Sequence, residues 1–111
     1  MAGDLRHIHD PAKAEEFARS LGLQIGGAGY DFEGKWRDKG LFAYHTGKYS
    51  GCAYFGIGGT ADEELEQKGG GDKYRLWEVK DPNMPNSVRE AWSKIEPTLA
   101  RSYYLNPPKT E

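Results

Sequence analysis

The histidines are the first residues in this chain whose spacing could do chemistry. His7 and His9 are separated by one residue, so on an extended segment both imidazoles point to the same side. Imidazole binds zinc, copper or nickel, but a site needs a third ligand, and His45 would have to converge on the pair. Solvated terminal histidines are the simpler interpretation. We therefore predict no metal site and no cofactor.

A second arrangement pairs Cys52, the single cysteine, with His45 as a nucleophile and a base for acyl or thiol chemistry. The two residues flank a predicted hairpin and could approach each other across it. However, a lone cysteine on a strand is more often a small buried hydrophobic residue, and no neighbouring segment supplies an oxyanion hole or a carboxylate to orient the histidine. A small enzyme centred on Cys52 and His45 is therefore the alternative hypothesis, and a non-catalytic protein is preferred.

Three acidic residues, Asp31, Glu33 and Asp38, could supply paired carboxylates for glycoside hydrolysis. Such an enzyme also needs a substrate cleft, for which a chain of 111 residues leaves little material. Solvated strand charges are the simpler interpretation of these carboxylates.

The most extensive candidate site mixes aromatic side chains with cations around loops and strand ends. Exposed rings can stack on sugar faces or unpaired bases, and adjacent cations can hold carboxylate or phosphate groups. A small domain with few aliphatic residues must bury many of its rings, so part of this cluster belongs to the core. The ligand-binding residues that we predict are Trp36, Arg37, Tyr44, Tyr49 and Tyr54.

The charge of the chain narrows the class of ligand. Fifteen Lys and Arg residues against seventeen Asp and Glu residues give a formal net charge of −2, so there is no global attraction to nucleic acid or to an anionic membrane. We predict a non-catalytic binding module whose aromatic and glycine-rich surface takes a carbohydrate or a protein. A self-associating structural domain, a homo-oligomer in which another copy covers the aromatic face, is a third hypothesis.

A helix near the start of the chain has clear boundary signals. Asp10 can cap its N-terminus, Pro11 suits its first turn, and Gly22 ends it. The apolar residues recur at helical spacing, which predicts one buried stripe. This stripe consists of Ala14, Phe17, Ala18 and Leu21.

Glycines and aromatic residues alternate between Gly22 and Gly59, a composition typical of short strands joined by tight turns. We predict strands over residues 28–33, 41–45, 52–57 and 73–79, with a hairpin turn over 46–51. In the second strand, alternation places Phe42 and Tyr44 on one face and Leu41, Ala43 and His45 on the other. The predicted fold class is α+β, with a mainly antiparallel sheet of about four strands packed by N-terminal and C-terminal helices.

Two capping boxes predict helices in the second half of the chain. Thr60 and Glu63 predict a short acidic helix that ends at about Gln67, and Ser87 and Glu90 predict a longer one. Pro97 kinks or ends the last turn of the longer helix. The apolar stripe of that helix is Val88, Trp92, Ile95 and Leu99.

The glycine- and aromatic-rich half of the chain also resembles a recurring domain. The runs that carry the resemblance include Gly26-Gly27-Ala28-Gly29-Tyr30-Asp31-Phe32, Lys39-Gly40-Leu41-Phe42-Ala43-Tyr44 and Ala53-Tyr54-Phe55-Gly56. Over residues 14–76 they resemble a glycine- and aromatic-rich domain of unknown function that recurs in predicted microalgal proteins. That family often carries a cysteine where this chain has Leu41. The resemblance implies a compact domain and transfers no site residues. The missing cysteine is compatible with this copy working without a disulfide.

Length and composition bound the organisation and location of the chain. We predict that residues 1–111 form a single domain, with residues 1–9 and 106–111 flexible. No stretch approaches the roughly 20 apolar residues that span a bilayer, and the N-terminus lacks the apolar core of a secretory signal. Because one cysteine leans toward a reducing compartment, a cytoplasmic location without membrane insertion is favoured.

Overall fold

Five strands and three helices make up the part of the chain that the structure, a computed structural model, describes: residues 8–66, 71–78 and 81–94. In chain order the elements are α1 (Pro11–Ser20), β1 (Gln24–Ile25), β2 (Glu33–Gly34), β3 (Gly40–Tyr44), β4 (Cys52–Gly56), α2 (Ala61–Glu64), β5 (Lys73–Arg75) and α3 (Asn86–Ser93). The predicted α+β class is confirmed.

The strands form one mixed sheet in which β4 and β3 are central. The sheet order is β1-β4-β3-β5, and β2 also pairs with β4. The hairpin partners β3 and β4 are antiparallel, as are β3 and β5. In contrast, β1 and β2 both run parallel to β4. The predicted antiparallel sheet of about four strands is therefore correct for β3, β4 and β5 and wrong for the edge formed by β1 and β2.

The single strand predicted over residues 28–33 is replaced by a tight turn between β1 and β2. Gly27 and Tyr30 exchange both of their backbone hydrogen bonds, each of 2.9 Å. Ala28 has a φ of 53°, and Gly26, Gly27 and Gly29 also have positive φ. Since extended strands need negative φ, these residues cannot continue a ladder. Of the predicted strand, only Glu33 lies in a strand, at the start of β2, and β1 lies before the predicted range.

Helix α1 follows its sequence signals closely. The Asp10 carboxylate accepts a hydrogen bond from the backbone N–H of Ala12 at 3.1 Å, which confirms the predicted cap. The predicted apolar stripe is buried in full: Ala14, Phe17, Ala18 and Leu21. Local sequence is therefore sufficient to define this element.

The two later helices match their predictions in part. The capping box of Thr60 and Glu63 is present, with both reciprocal hydrogen bonds formed, but α2 ends at Glu64 and not near Gln67, which lies outside the described residues. The box predicted at Ser87 is wrong, because α3 begins at Asn86 and Ser87 is already inside the helix. The predictions for Ile95, Pro97 and Leu99 also fall outside the described residues.

Side chains on the two faces of the sheet form two separate clusters. The face that packs on α1 and α3 buries aliphatic and small residues together with Phe17, Phe55 and Tyr74. The opposite face carries Phe42, Cys52 and Tyr54, with partly buried aromatic rings packed around them. Strand alternation separates the two clusters, because successive side chains point to opposite faces.

One buried arginine connects three elements. The Arg75 side chain of β5 is fully buried, and its Nε donates to the carbonyl oxygen of Glu66 at 2.7 Å. Its Nη1 donates to Lys39 O at 2.7 Å and to Leu41 O at 3.3 Å, and its Nη2 donates to Glu63 O at 2.9 Å. Burial lowers the pKa of Arg75 to about 10, so the group remains a cation at neutral pH. This guanidinium holds α2 and the start of β3 against β5.

The segment before α1 is also attached to α2. Ile8 is fully buried, and His9 Nδ1 lies 2.9 Å from Oε1 of the buried Glu64. Residues 8 and 9, which belong to the segment predicted to be flexible, are therefore packed against the domain. Residues 1–7 and 106–111 lie outside the described residues.

No helix within the described ranges has both the length and the apolar character needed to cross a membrane. The cytoplasmic location stays a prediction. The assignment of residues 1–111 to a single domain stays one as well.

Candidate functional site

A concave pocket of about 220 Å³ opens on the sheet face that the helices do not cover. We call it the aromatic pocket. The residues that line it are Tyr30, Trp36, Arg37, Asp38, Phe42, Tyr44, Tyr49, Tyr54 and Lys73. All five residues predicted as ligand-binding are among them, so the structure brings the predicted set together in one cavity.

The floor of the aromatic pocket is built by the β3–β4 hairpin. Phe42 and Tyr54 are register partners across the two strands, and their ring centroids are 6.0 Å apart. Tyr44 follows on the same face of β3, with its ring centroid 5.9 Å from that of Phe42. These three rings share a face because they occupy alternate positions on adjacent strands.

One wall of the pocket is Trp36, which is fixed in two ways. Its indole Nε1 donates to the carbonyl oxygen of Phe32 at 3.1 Å. The indole also lies directly against Gly34, where an added Cβ would lie 2.5 Å from Trp36 Cζ2. Glycine at position 34 therefore makes room for the ring, and the ring's orientation is set before any ligand arrives.

The other walls come from two loops. Tyr30 is carried by the glycine turn, and Tyr49 by the hairpin loop between β3 and β4. The Tyr30 ring contacts both Trp36, at a centroid distance of 5.7 Å, and Tyr49, at 5.8 Å. Tyr30 is 49% exposed, so it forms the rim.

The rings enclose a volume and do not form a flat stack. The ring planes of Trp36 and Tyr54 meet at 83°, those of Tyr49 and Tyr54 at 88°, and those of Tyr30 and Trp36 at 86°. Edge-to-face contacts of this kind are a favoured geometry for aromatic pairs. The arrangement leaves a cavity whose walls are ring faces and edges.

Charged side chains occupy one side of the aromatic pocket. The Asp38 carboxylate forms an ion pair with the ammonium group of Lys73, and both side chains are mostly buried. The Lys73 Nζ also lies 5.7 Å from the centre of the Tyr44 ring, within cation–π distance. Arg37 is exposed, and within the described part of the chain its guanidinium has no hydrogen-bond or ion-pair partner. Arg37 is therefore the cation that a ligand can reach without breaking an existing pair.

The tyrosine hydroxyls of the floor remain protonated at neutral pH. Burial raises the pKa of Tyr44, an effect that nearby Lys73 partly opposes. Burial also raises the pKa of Tyr54, whose hydroxyl donates to Gly27 O at 2.8 Å. Among the described residues, the hydroxyls of Tyr44 and Tyr49 make no hydrogen bond, so both can serve a ligand.

The structure does not bring Cys52 and His45 together. Cys52 is buried with Phe42 and Tyr54 on the aromatic face of the sheet. His45 lies on the other side of the hairpin, where its Nε2 is 2.8 Å from the carbonyl oxygen of Gly71 and its ring contacts Tyr74. A thiol and an imidazole on opposite faces cannot form a nucleophile–base pair. The geometry therefore gives the enzyme hypothesis no support.

The other candidate metal ligands have partners of their own or lie outside the described residues. His9 Nδ1 lies 2.9 Å from Glu64 Oε1, and His7 is not among the described residues. Within residues 8–66, 71–78 and 81–94, no three His, Cys, Asp or Glu side chains form a group that could hold a metal ion. Asp31 and Glu33 are exposed and do not line the aromatic pocket.

Four lining residues were not part of the predicted site: Tyr30, Asp38, Phe42 and Lys73. The alternation of Phe42 with Tyr44 could have identified Phe42 from the sequence. The local sequence does not identify Lys73 as a site residue. Lys73 reaches the pocket because β5 pairs with β3, where Lys73 is the register partner of Tyr44. Asp38 belongs to the lining together with its ion-pair partner Lys73, although the sequence predicts a solvated carboxylate at this position.

No family model, no curated protein and no solved structure matches this chain. The resemblance to a domain of microalgal proteins stays a prediction.

Proposed function

We propose that this protein is a non-catalytic binding module, that the aromatic pocket is its ligand site, and that the ligand is a carbohydrate. The observation that carries the proposal is the presence in one small cavity of aromatic walls together with Arg37, Asp38 and Lys73. A binding site of this type combines a mostly apolar lining with a few polar groups that fix the orientation of the ligand.

The chemistry of the lining suits a sugar ring. Sugars present apolar C–H faces, which pack on aromatic rings, and hydroxyl groups, which need donors and acceptors. The Asp38 carboxylate accepts from a sugar hydroxyl, and the free hydroxyls of Tyr44 and Tyr49 donate to one. The cavity of about 220 Å³ is smaller than the roughly 300–1,000 Å³ of sites for drug-sized ligands, so it fits a single sugar unit.

A protein ligand and self-association are less well supported. A stable protein interface buries about 800 Å² on each partner and contains a wide apolar centre. Within the described residues, Tyr30 is the one large hydrophobic side chain that is exposed. The apolar surface on this face is concave and small, so it favours a compact group over an extended partner.

The residues that line the aromatic pocket favour the binding of a sugar without its hydrolysis. Glycoside hydrolases use two carboxylates at a fixed separation. Of the residues that line the aromatic pocket, Asp38 alone carries a carboxylate, and Lys73 already neutralises it. A sugar in this pocket is therefore held without being cleaved.

The proposal is tested by calorimetric titration of the protein with a panel of neutral and acidic oligosaccharides. At least one saccharide should bind, and Tyr49→Ala should weaken that binding about tenfold, which corresponds to about 1.4 kcal/mol, because it removes one wall of the pocket. The control is Glu16→Ala on α1, an exposed residue on the helix side of the sheet, which should bind like the unmodified protein. Amide spectra verify that both variants are folded.

Two outcomes would contradict the proposal. One is a panel in which no saccharide binds. The other is equal saccharide affinity of Tyr49→Ala and the unmodified protein, which would place the site elsewhere.

A further inference from the structure

The charges around the aromatic pocket narrow the class of sugar, and we propose that the ligand is an acidic carbohydrate whose carboxylate, as in a uronic acid, is bound by Arg37. This inference rests on the proposed function, since it specifies the ligand of the same pocket. It goes further in assigning one side chain to one chemical group.

The lining carries an uncompensated positive charge. Two of the lining residues are cations, Arg37 and Lys73, and one is an anion, Asp38. Because Asp38 and Lys73 form an ion pair, their charges cancel locally, and the charge of Arg37 remains. A ligand with a single negative charge neutralises it, whereas a neutral sugar leaves it unused.

The position of Arg37 suits a group attached to a stacked ring. Arg37 directly follows Trp36, whose indole is fixed by Phe32 O and by Gly34. The backbone that carries the guanidinium is therefore held next to an aromatic wall. A planar guanidinium binds a carboxylate through two parallel hydrogen bonds, which a carboxylate on the sugar ring can accept while the ring packs on the wall.

The surroundings limit the ligand to few negative charges. The whole chain has a formal net charge of −2, and Asp31 and Glu33 are exposed on the segment between Tyr30 and Trp36. A polyanion such as nucleic acid would meet these carboxylates as well as Arg37. One carboxylate per bound sugar unit matches the one available guanidinium.

The test compares two saccharide probes that differ at C6 of each sugar unit, where one carries a carboxylate and the other a hydroxymethyl group. Calorimetry measures the affinity for a trimer of galacturonic acid and for the trimer of galactose with the same linkage. The acidic trimer should bind about tenfold more tightly at low salt, as expected for charge-assisted hydrogen bonds at a partly exposed site, and salt should reduce this preference. In Arg37→Gln the affinity for the acidic trimer should fall about tenfold more than the affinity for the galactose trimer, so that the preference disappears.

A matched charge change provides the control. Lys13→Gln removes one positive charge from α1, on the helix side of the sheet, and should retain the preference for the acidic trimer. Equal affinity of the unmodified protein for both trimers would overturn this inference and leave the proposed function intact. Equal loss of both affinities in Arg37→Gln would also overturn it, because Arg37 would then act on the pocket as a whole. Absence of binding by both trimers and by the wider saccharide panel would overturn the inference and the proposed function together.

Discussion

The hydroxyl of Tyr54 donates a hydrogen bond of 2.8 Å to the carbonyl oxygen of Gly27. This bond joins the floor of the aromatic pocket to the glycine turn that carries Tyr30 at its rim. The turn has positive φ at Gly26, Gly27, Ala28 and Gly29, so its shape is set by backbone conformation, and its position over the sheet depends on contacts such as this one.

Replacing Tyr54 by phenylalanine should loosen that connection. Tyr54→Phe removes one partly buried hydrogen bond and leaves the Gly27 carbonyl without it, at a cost of about 1 kcal/mol in the free energy of unfolding. Saccharide affinity should fall severalfold, because Tyr30 loses part of its support. Chemical denaturation and calorimetry measure the two effects. The matched control is Tyr30→Phe, whose hydroxyl makes no hydrogen bond among the described residues; an equal effect of both substitutions would contradict the role of the Tyr54 bond.

Gly34 should be essential for the position of the Trp36 indole, and therefore for saccharide binding. In Gly34→Ala the new Cβ would lie 2.5 Å from Trp36 Cζ2, so the indole must move away from the backbone. We expect a loss of about 1–3 kcal/mol in unfolding free energy, a shifted indole N–H resonance and weaker saccharide binding. Gly71→Ala is the control, since nothing lies within 4 Å of its added Cβ. An unchanged indole resonance in Gly34→Ala would show that the ring does not depend on this glycine.

Arg75 should be essential to stability, whereas Arg37 should not. Arg75→Met removes the hydrogen bonds that the buried guanidinium donates to the carbonyl oxygens of Lys39, Leu41, Glu63 and Glu66 and should cost about 3–5 kcal/mol in unfolding free energy. Arg37→Gln changes an exposed side chain and should stay within about 0.5 kcal/mol of the unmodified protein. Urea denaturation compares the two. Comparable stability of both variants would be inconsistent with the network around Arg75.

Replacing the buried Tyr74 by phenylalanine should stabilise the fold and change how its stability depends on pH. Its hydroxyl is buried and has no hydrogen-bond partner in the described structure, and burial raises its pKa above the ordinary value near 10. Tyr74→Phe removes the unsatisfied group and should stabilise the fold at pH 7 by about 1 kcal/mol.

The pH dependence follows from the same raised pKa. Above pH 10 the unfolded chain loses the Tyr74 proton first, so stability is complete below that pH and declines as the pH rises toward the pKa of the folded state. Denaturation between pH 8 and pH 11 should therefore show a steeper decline for the unmodified protein than for Tyr74→Phe. Parallel curves of stability against pH for the two proteins would contradict the raised pKa of Tyr74. Arg75, whose lowered pKa acts in the opposite sense, is present in both proteins and cancels in the comparison.

The elements that the sequence predicts well are those with local causes. Asp10 caps α1 and Thr60 caps α2 through side chains within three residues of the amides they satisfy. The β3–β4 hairpin and the shared face of Phe42 and Tyr44 follow from alternation alone. This is why Tyr44 and Tyr54, on the two paired strands, and Tyr49, in the loop between them, meet in one pocket. Trp36 and Arg37 follow β2, which joins the sheet by pairing with β4.

What the sequence could not predict depends on contacts between distant segments. The parallel pairing of β1 and β2 with β4 joins residues more than twenty positions apart, and no local pattern specifies it. The same holds for the ion pair between Lys73 and Asp38, which are 35 positions apart in the chain. It also holds for Arg75, whose place in the sequence indicates a polar strand residue but whose side chain is fully buried. Long-range pairing and burial decide all three.

The most direct test of the central claim is an amide NMR titration of the labelled protein with the galacturonic acid and galactose trimers, in parallel. We expect shifts confined to residues 30–38 and 42–54 and to Lys73, with the amides of α1 unchanged. Shifts centred on α1, or none with either trimer or any saccharide of the wider panel, would contradict the assignment of the aromatic pocket as a carbohydrate site.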